Sequence, residues 1–426
     1  MITINDFDFE DKKALIRVDF NVPLDENFNV TDTTRIVSAK PTILKILEDG
    51  GSCVLMSHLG RPKGVSPEFS LSHIVKTVSE IIGVQVKFVE DCIGKKAEDA
   101  VAVLEPGEIL LLENLRFYKE ETAGDLDFAK QLSELEPGEV LLLENLRFYD
   151  EEKNGDLGFA EQLSKLGDIY VNDAFGTAHR AHASTTIIAQ FFKGKKCFGS
   201  LLAKEIESIN KVFEDSKKPV TAILGGSKVS SKITVIKNIL DKVDHLSIGG
   251  GMSFTFIKAL GGKIGDSICE DDKQQLALEI LEEAEAKGVK VHLPVDVVAA
   301  DAFSNDAKTQ FVDIKNIPDG WQGLDAGPKT NIGFSFVIAQ SKTILWNGPV
   351  GVFEMPKFST GTIELGNAIA EATADGAFSL VGGGDSVAAV KQFGFENKVS
   401  YVSTGGGAML EMLEGKTLPG IEAILN

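Results

Sequence analysis

Four glycine turns constrain this chain more than any other feature. In Ser379–Val390, SLVGGGDSVAAV, an apolar run (Phe378, Leu380, Val381) enters three glycines, and Asp385, Ser386 and a short apolar segment of helical character follow. Glycine lets the backbone turn tightly and approach a ligand. The free N–H groups and positive dipole end of the helix that follows attract phosphate. Gly249–Gly251 in LSIGGGMSFTF and Gly405–Gly407 in YVSTGGGAMLEML repeat the pattern, and Gly225-Gly226 in AILGGSKVSSK is a shorter version carrying Lys228 and Lys232. Taken singly, such a turn is an ordinary strand-to-helix connection. Four of them, between residues 225 and 407, would converge on one edge of a parallel sheet, where open α/β sheets bind ligands.

The rest of the chain supports that architecture. Short apolar strands alternate with helical patterns in both halves: Lys13–Val22, Cys53–Met56, Val84–Val89 and Ile169–Val171 first, then Val220–Leu224, His245–Ile248, Val289–Leu293, Thr343–Trp346, Phe378–Val381 and Lys398–Val402. The expected fold is α/β, with two doubly wound parallel-sheet (Rossmann-like) domains joined by a long helix and a hinge. The long helix is Ser200–Phe213, with apolar residues at helical spacing. Residues 299–331 read as a loop-rich, Gly/Asp/Pro-rich section.

Composition narrows the function. A net charge of −20 argues against nucleic acid as a partner, which needs a basic face. No apolar run reaches the roughly 18 residues of a membrane span. The N-terminus MITINDFDFEDKK is acidic where a secretion signal is basic and then apolar, and Cys53, Cys92, Cys197 and Cys269 are far apart. A cytoplasmic location with reduced thiols is the expectation. In so acidic a chain, cationic groups gathered at strand ends carry weight. The first half has Asp19, Asn21, Arg35, His58, Arg61, Arg116 or Arg147, and Arg180 at such positions. Arginine forks bind carboxylate and phosphate, so a small, multiply anionic ligand is implied. The second half offers glycine turns with Lys228, Lys232, Asn347, Glu354, Asp385 and Ser386, which suit a nucleotide and its Mg²⁺. An anionic acceptor on one domain and a nucleotide on the other is the layout of a phosphotransferase. GxxxxGK[ST] is absent, since Leu410 stands where Gly415-Lys416-Thr417 would need a glycine, and GxGxxG is absent too. A P-loop enzyme and a dinucleotide-fingerprint dehydrogenase are therefore unsupported. A non-catalytic binder of anionic metabolites is the remaining competitor, and the Lys228/Asp385 edge counts against it.

RVDFNVP (17–23), SHLGRPKG (57–64), LLLENLRF (110–117 and 141–148), VNDAFGTAHRAHAS (171–184), LGGSKVSSKI (224–233), GGGMSFTF (249–256), WNGPVGVFE (346–354), GGGDS (382–386) and STGGGA (403–408) together make the chain resemble phosphoglycerate kinase along its whole length. The resemblance implies reversible transfer of the 1-phosphate of 1,3-bisphosphoglycerate to ADP, giving 3-phosphoglycerate and ATP, in a monomer that closes about a hinge. It implies that Asp19, Asn21, Arg35, His58, Arg61, Arg180 and one of Arg116 and Arg147 bind the glycerate. Lys228, Lys232, Gly250, Gly323, Asn347, Glu354 and Gly382, Gly383, Gly384, Asp385 and Ser386 would hold the nucleotide, with Asp385 on Mg²⁺. Arg35, Lys232, Gly405 and Gly406 would face the phosphoryl group in flight. The implied domains are 1–199 for phosphoglycerate, an interdomain helix 200–215, 216–405 for nucleotide, and a segment 406–426 that packs back on the first domain.

One feature departs from that pattern. Residues 105–135 are followed at once by a second copy, 136–166, with seven of the 31 positions changed. The family has one such unit. A sheet with one interior slot would take one copy, leaving the other to quit the sheet, extend its edge or pair elsewhere. The second copy is expected in the slot, because it runs straight into the Ile169–Val171 strand. Arg147 would then be the substrate arginine.

Overall fold

The structure, a computed structural model, describes residues 3–10, 12–57, 59, 67–89, 109–112, 140–143, 150–165 and 167–426. His58, Arg61, Arg116, Arg147 and the helix expected at 128–135 lie outside the described residues. The chain divides into two compact units, 1–206 with 417–426, and 207–416.

In the first unit the elements run β1 (Lys13–Arg17), α1 (Thr34–Glu48), β2 (Ser52–Met56), α2 (Val75–Ile82), β3 (Val86–Val89), β4 (Ile109–Leu112), β5 (Val140–Leu143), α3 (Asp150–Asn154), α4 (Leu157–Ser164), β6 (Ile169–Asn172) and β7 (Lys196–Phe198). They form one seven-stranded sheet in the order β3-β4-β5-β2-β1-β6-β7, parallel at every pairing. Helix α1 forms because Ile36, Ala39, Ile43 and Ile46 recur on one face. All four are buried against Ile16, Val18, Phe20, Cys53 and Leu55. Each large side chain so buried contributes about 1.5–3 kcal/mol.

The single-slot expectation fails here. Both copies of the repeat enter the sheet side by side: β4 pairs with β3 and β5, and β5 pairs with β2. A parallel sheet can widen by one strand wherever both new neighbours supply a free ladder edge. The two copies have nearly the same sequence, so the ladder between them is in register, Leu110 opposite Leu141.

Helix α5 (Ser200–Phe213) carries the boundary between the units, at 206/207 rather than at either end of the expected 200–215 linker. The second unit then runs β8 (Val220–Leu224), α6 (Ile233–Ile239), β9 (His245–Ile248), α7 (Met252–Ala259), β10 (Lys263–Ile264), α8 (Gln274–Ala286), β11 (Lys290–His292), β12 (Asp296–Ala300), β13 (Thr309–Asp313), β14 (Asn316–Ile317), β15 (Gln322–Ala326), α9 (Pro328–Ala339), β16 (Thr343–Asn347), α10 (Thr360–Ala374), β17 (Phe378–Val381), α11 (Gly384–Gln392), β18 (Tyr401–Val402) and α12 (Gly406–Leu413). Its main sheet is six-stranded, in the order β11-β9-β8-β16-β17-β18. Residues 299–331 keep long connections, 301–308 above all, but are more ordered than a loop-rich section. They complete a three-stranded antiparallel sheet, β13-β12-β15, and begin α9. Strand β13, TQFVD, alternates exposed and half-buried residues, the period-two signature of a surface strand.

The expected return of 406–426 to the first domain is narrower than its bounds. Helix α12 stays with the second unit, where Asn238 Nδ2 donates to Leu413 O at 2.7 Å. The last helix, α13 (Pro419–Leu425), belongs to the first unit. There Asn172 Nδ2 donates to Gly420 O at 3.2 Å and Lys196 Nζ to Ala423 O at 2.7 Å.

Candidate active site

The strand order of the second unit places the glycine turns beside one another. Read across the sheet, β9 ends at Gly249–Gly251, β8 at Gly225-Gly226, β16 at Asn347-Gly348, β17 at Gly382–Gly384 and β18 at Gly405–Gly407. The chain reverses its winding between β8 and β16, which opens a crevice at their carboxyl ends. These turns touch through backbone. A Cβ on Gly225 would lie 2.0 Å from Pro349 O, and one on Gly383, where φ is +91°, would lie 2.9 Å from Asn347 Nδ2. Neither position accommodates a side chain.

Polar bonds tie the crevice together. Trp346, fully buried, donates its Nε1–H to Gly348 O at 2.9 Å. Ser386 Oγ accepts from Gly348 N–H at 2.5 Å, and Asn347 Nδ2 donates to Gly382 O at 3.0 Å. Lys232 Nζ donates to Asn347 O at 2.6 Å and also to Asn347 Oδ1. Burial lowers the Lys232 ammonium to about 8, while the Asp385 carboxylate opposes that shift. Lys232 therefore remains mainly a cation at neutral pH.

Beside the crevice is a cavity of about 460 Å³. Gly226, Gly250, Glu354 and Asp385 line its polar side, and Phe254, Ile268, Phe303, Leu324 and Val350 make apolar wall, with Gly323 among them. Of the expected nucleotide residues, Gly250, Gly323, Glu354 and Asp385 face this cavity. Lys232, Asn347, Gly382 and Ser386 join the adjoining hydrogen-bond network, with Gly383 packed on Asn347. Gly406 borders Gly383 and Gly384, since a Cβ on it would lie 3.4 Å from Gly383 Cα and from Gly384 N, and Gly405 precedes it as the N-cap of α12. Lys228 is exposed on the loop after β8 and is outside the cavity lining.

The apolar wall was not anticipated, because Phe303 and Leu324 come from the 299–331 region. Asp325 was missed as well. It is buried, and burial raises its carboxyl to about 7 although the N–H groups of Gly361 and Ala326 donate to it. It thereby holds the start of α10.

The first unit brings a different set together. Arg35 Nη1 lies 3.0 Å from Asp19 Oδ1 and Oδ2 and donates to Asn21 O at 3.0 Å. The residue between them, Phe20, donates its N–H to Ser57 Oγ at 2.9 Å, which fixes the end of β2 next to the end of β1. A cavity of about 490 Å³ starts at Asn21 and runs past Leu24, Phe28 and Leu59. Arg180 sits exposed in the loop after β6, with Nε 3.2 Å from His179 Nε2. Asp173 ends β6. It is fully buried, and its carboxyl is raised to about 7 by burial, against hydrogen bonds from Thr42 Oγ and Leu202 N–H.

Two glycine-and-arginine edges on two parallel sheets match one family along the whole chain: the phosphoglycerate kinase family model covers residues 4–136 and 127–416. The chain belongs to the phosphoglycerate kinase family. A phosphoglycerate kinase of Porphyromonas gingivalis is 55% identical over 424 residues, spanning 99% of this chain and 100% of the relative. The cytosolic phosphoglycerate kinase of Nicotiana tabacum is 47% identical over 422 residues, spanning 99% and 97%. Among solved structures, phosphoglycerate kinase from Coxiella burnetii covers 100% of this chain and 98% of its own, with a TM-score of 0.83 and 38% identity. The two family matches overlap at 127–136, across the junction of the repeated copies.

Proposed function

We infer that this chain performs the reaction of its family, reversible transfer of the 1-phosphate of 1,3-bisphosphoglycerate to ADP, yielding 3-phosphoglycerate and ATP in glycolysis. The observation that carries the reading is the row of strand-end turns in the second unit, with Lys232 and Asp385 on it and a cavity of about 460 Å³ with one apolar wall beside it. Phosphoryl transfer needs positioning and charge neutralisation more than a protein nucleophile, and that row supplies both.

In this reading the second unit holds the nucleotide. Phe254, Phe303, Leu324 and Val350 take the base, Glu354 the ribose, and the Gly382–Gly384 turn with the start of α11 the phosphates. Lys228, Lys232, Gly250, Gly323, Asn347 and Ser386 complete the site. Asp385 is exposed, in the first turn of α11, and shares the cavity with Glu354. That fits Mg²⁺, which is held by one or two carboxylates together with substrate phosphates and water. Bound there, Mg²⁺ would neutralise phosphate charge. The first unit holds the glycerate through Asp19, Asn21, Arg35, His58, Arg61 and Arg180. Arg147 joins them ahead of Arg116. With strands about 4.8 Å apart, β5 stands two spacings from β1 and β4 three. Arg35 has an anion partner in Asp19 at rest and turns its guanidinium to the phosphoryl group. Gly405 and Gly406 present the N–H groups of α12 to the same phosphoryl group.

Transfer brings both ligands to one place, so the units close on each other when both are bound. The protein works as a cytoplasmic monomer. Among the described residues no helix is long and apolar enough to cross a membrane. The test is a coupled assay with 3-phosphoglycerate, Mg-ATP and a downstream reductase, run on the purified chain. Turnover that needs all three supports the reading; ligand binding without turnover would leave a binder of anionic metabolites in its place.

A further inference from the structure

The second copy of the repeat does more than widen a sheet. Its Glu152, in α3, is fully buried. The carboxylate accepts from Ser184 N–H at 2.8 Å and from Ser184 Oγ–H at 2.6 Å, and His182 Nδ1 stands 3.7 Å from it. The Glu152 carbonyl accepts from Ala183 N–H at 2.9 Å. Three residues on, Gly155 takes φ +68° and lies so close that a Cβ there would sit 2.5 Å from Ala181 O. One short helix and the turn after it therefore grip residues 181–184 from beneath.

Those residues close the loop that presents Arg180. The Arg180 carbonyl accepts from the hydroxyls of Thr185 at 3.1 Å and Thr186 at 3.2 Å, and its N–H donates to Thr177 O at 3.0 Å. Tyr170 OH donates to Ser184 O at 2.8 Å, and Asn172 Nδ2 to Thr185 O at 3.1 Å. The loop is thus held from inside while the Arg180 side chain stays exposed. A carboxylate removed from water is tolerable when hydrogen bonds compensate it, and charge-assisted bonds of this length are the strong kind. Ser184 Oγ also accepts from Nε of the buried Arg17 at 3.2 Å, so its hydroxyl proton is directed at Glu152.

We propose that Glu152 is a positioning residue for Arg180, and that the second copy of the repeat supplies it. Ser184 has one N–H and one O–H, and Glu152 takes both. Its counterpart in the first copy, 31 residues earlier, is Glu121, which lies outside the described residues. The inference rests on the reading of Arg180 as a ligand of 3-phosphoglycerate.

The test uses the full chain. Glu152→Gln keeps the shape but turns one acceptor into a donor facing Ser184. It should raise KM for 3-phosphoglycerate at least tenfold and leave KM for Mg-ATP within twofold, while Glu121→Gln leaves both unchanged. In an Arg180→Ala background Glu152→Gln should add little, because contributions made through one residue are not additive. Ser184→Ala, which removes one of the two bonds, should move the same KM in the same direction by less, and serves if Glu152→Gln does not fold. Equal changes in both KM values, additivity with Arg180→Ala, or a larger effect from Glu121→Gln would overturn the proposal. A wild-type chain without turnover would overturn the kinase reading and this inference together; an active wild type with additive variants overturns this inference alone.

Discussion

At the carboxyl edge of the first unit's sheet the anion-seeking groups are side chains: Arg35, held by Asp19 and the Asn21 carbonyl, and Arg180 on its braced loop. At the same edge of the second unit they are mostly main chain, glycine turns packed so closely that Gly225 and Gly383 leave no room for a Cβ. A guanidinium on a long stem can reach and reorient. A backbone turn cannot, but it lets polyphosphate lie directly on the N–H groups at a helix start. The two designs suit the two proposed ligands, one a compact acid and the other a nucleotide with two or three phosphates in a row. They also fail differently: the first through loss of charge, the second through loss of shape.

Arg35→Ala should have the largest effect, a loss of about 10³-fold or more in kcat, the scale of an arginine that neutralises transition-state charge, with Mg-ADP affinity nearly intact. Stopped-flow turnover and calorimetric titration measure the two quantities. A matching loss of Mg-ADP affinity would break the division of labour between the units. Asp385→Asn should do the converse and weaken Mg-ADP binding by ten- to a hundredfold while sparing 3-phosphoglycerate, because it removes a metal-ligand charge from one unit. Gly383→Ala tests shape instead of charge. A left-handed φ and a contact at 2.9 Å should cost roughly tenfold in nucleotide affinity through displacement of Asn347; unchanged affinity would show that the turn is looser than its geometry.

The pH profile is subtler. Lys232 titrates near 8, below its usual 10.5, so kcat/KM for Mg-ADP should fall about tenfold per unit above pH 8 as the cation is lost. Lys232→Arg should flatten that limb. Stability runs the other way: the unfolded chain holds this proton more tightly, so the cost of burying the charge is relieved as pH rises from about 8 to 10.5. The buried carboxylates, Asp173 in the first unit and Asp325 in the second, have the opposite sign. Asp173, raised to about 7, makes its contribution to stability less favourable as pH rises from about 4 to 7, where the native state binds the extra proton. Chemical denaturation across pH with Asp173→Asn as control separates the two.

Much of the proposed site rests on residue type and order. Each strand in a parallel sheet delivers its loop to the same edge, so Asp19, Asn21, Arg35, Lys232, Asn347 and Asp385 could be assigned to ligand edges from position alone. The apolar cavity wall could not, because Leu324 belongs to an antiparallel sheet, and Phe303 to the connection between two of its strands, in a stretch rich in Gly, Asp and Pro.

The repeat shows where sequence stopped. It specified two copies of one strand, a loop and a helix, since local pattern and propensity are properties of the segment itself. Whether the sheet holds one copy or both depends on ladder edges offered by β2 and β3, residues distant in the chain. In the same way, the sequence contains Glu121 and Glu152 at equivalent positions of the two copies. What separates Glu152 is the Ser184 N–H and O–H that meet its carboxylate in the fold, for a buried carboxylate is defined by its partners, and partners this far along the chain exist only after folding.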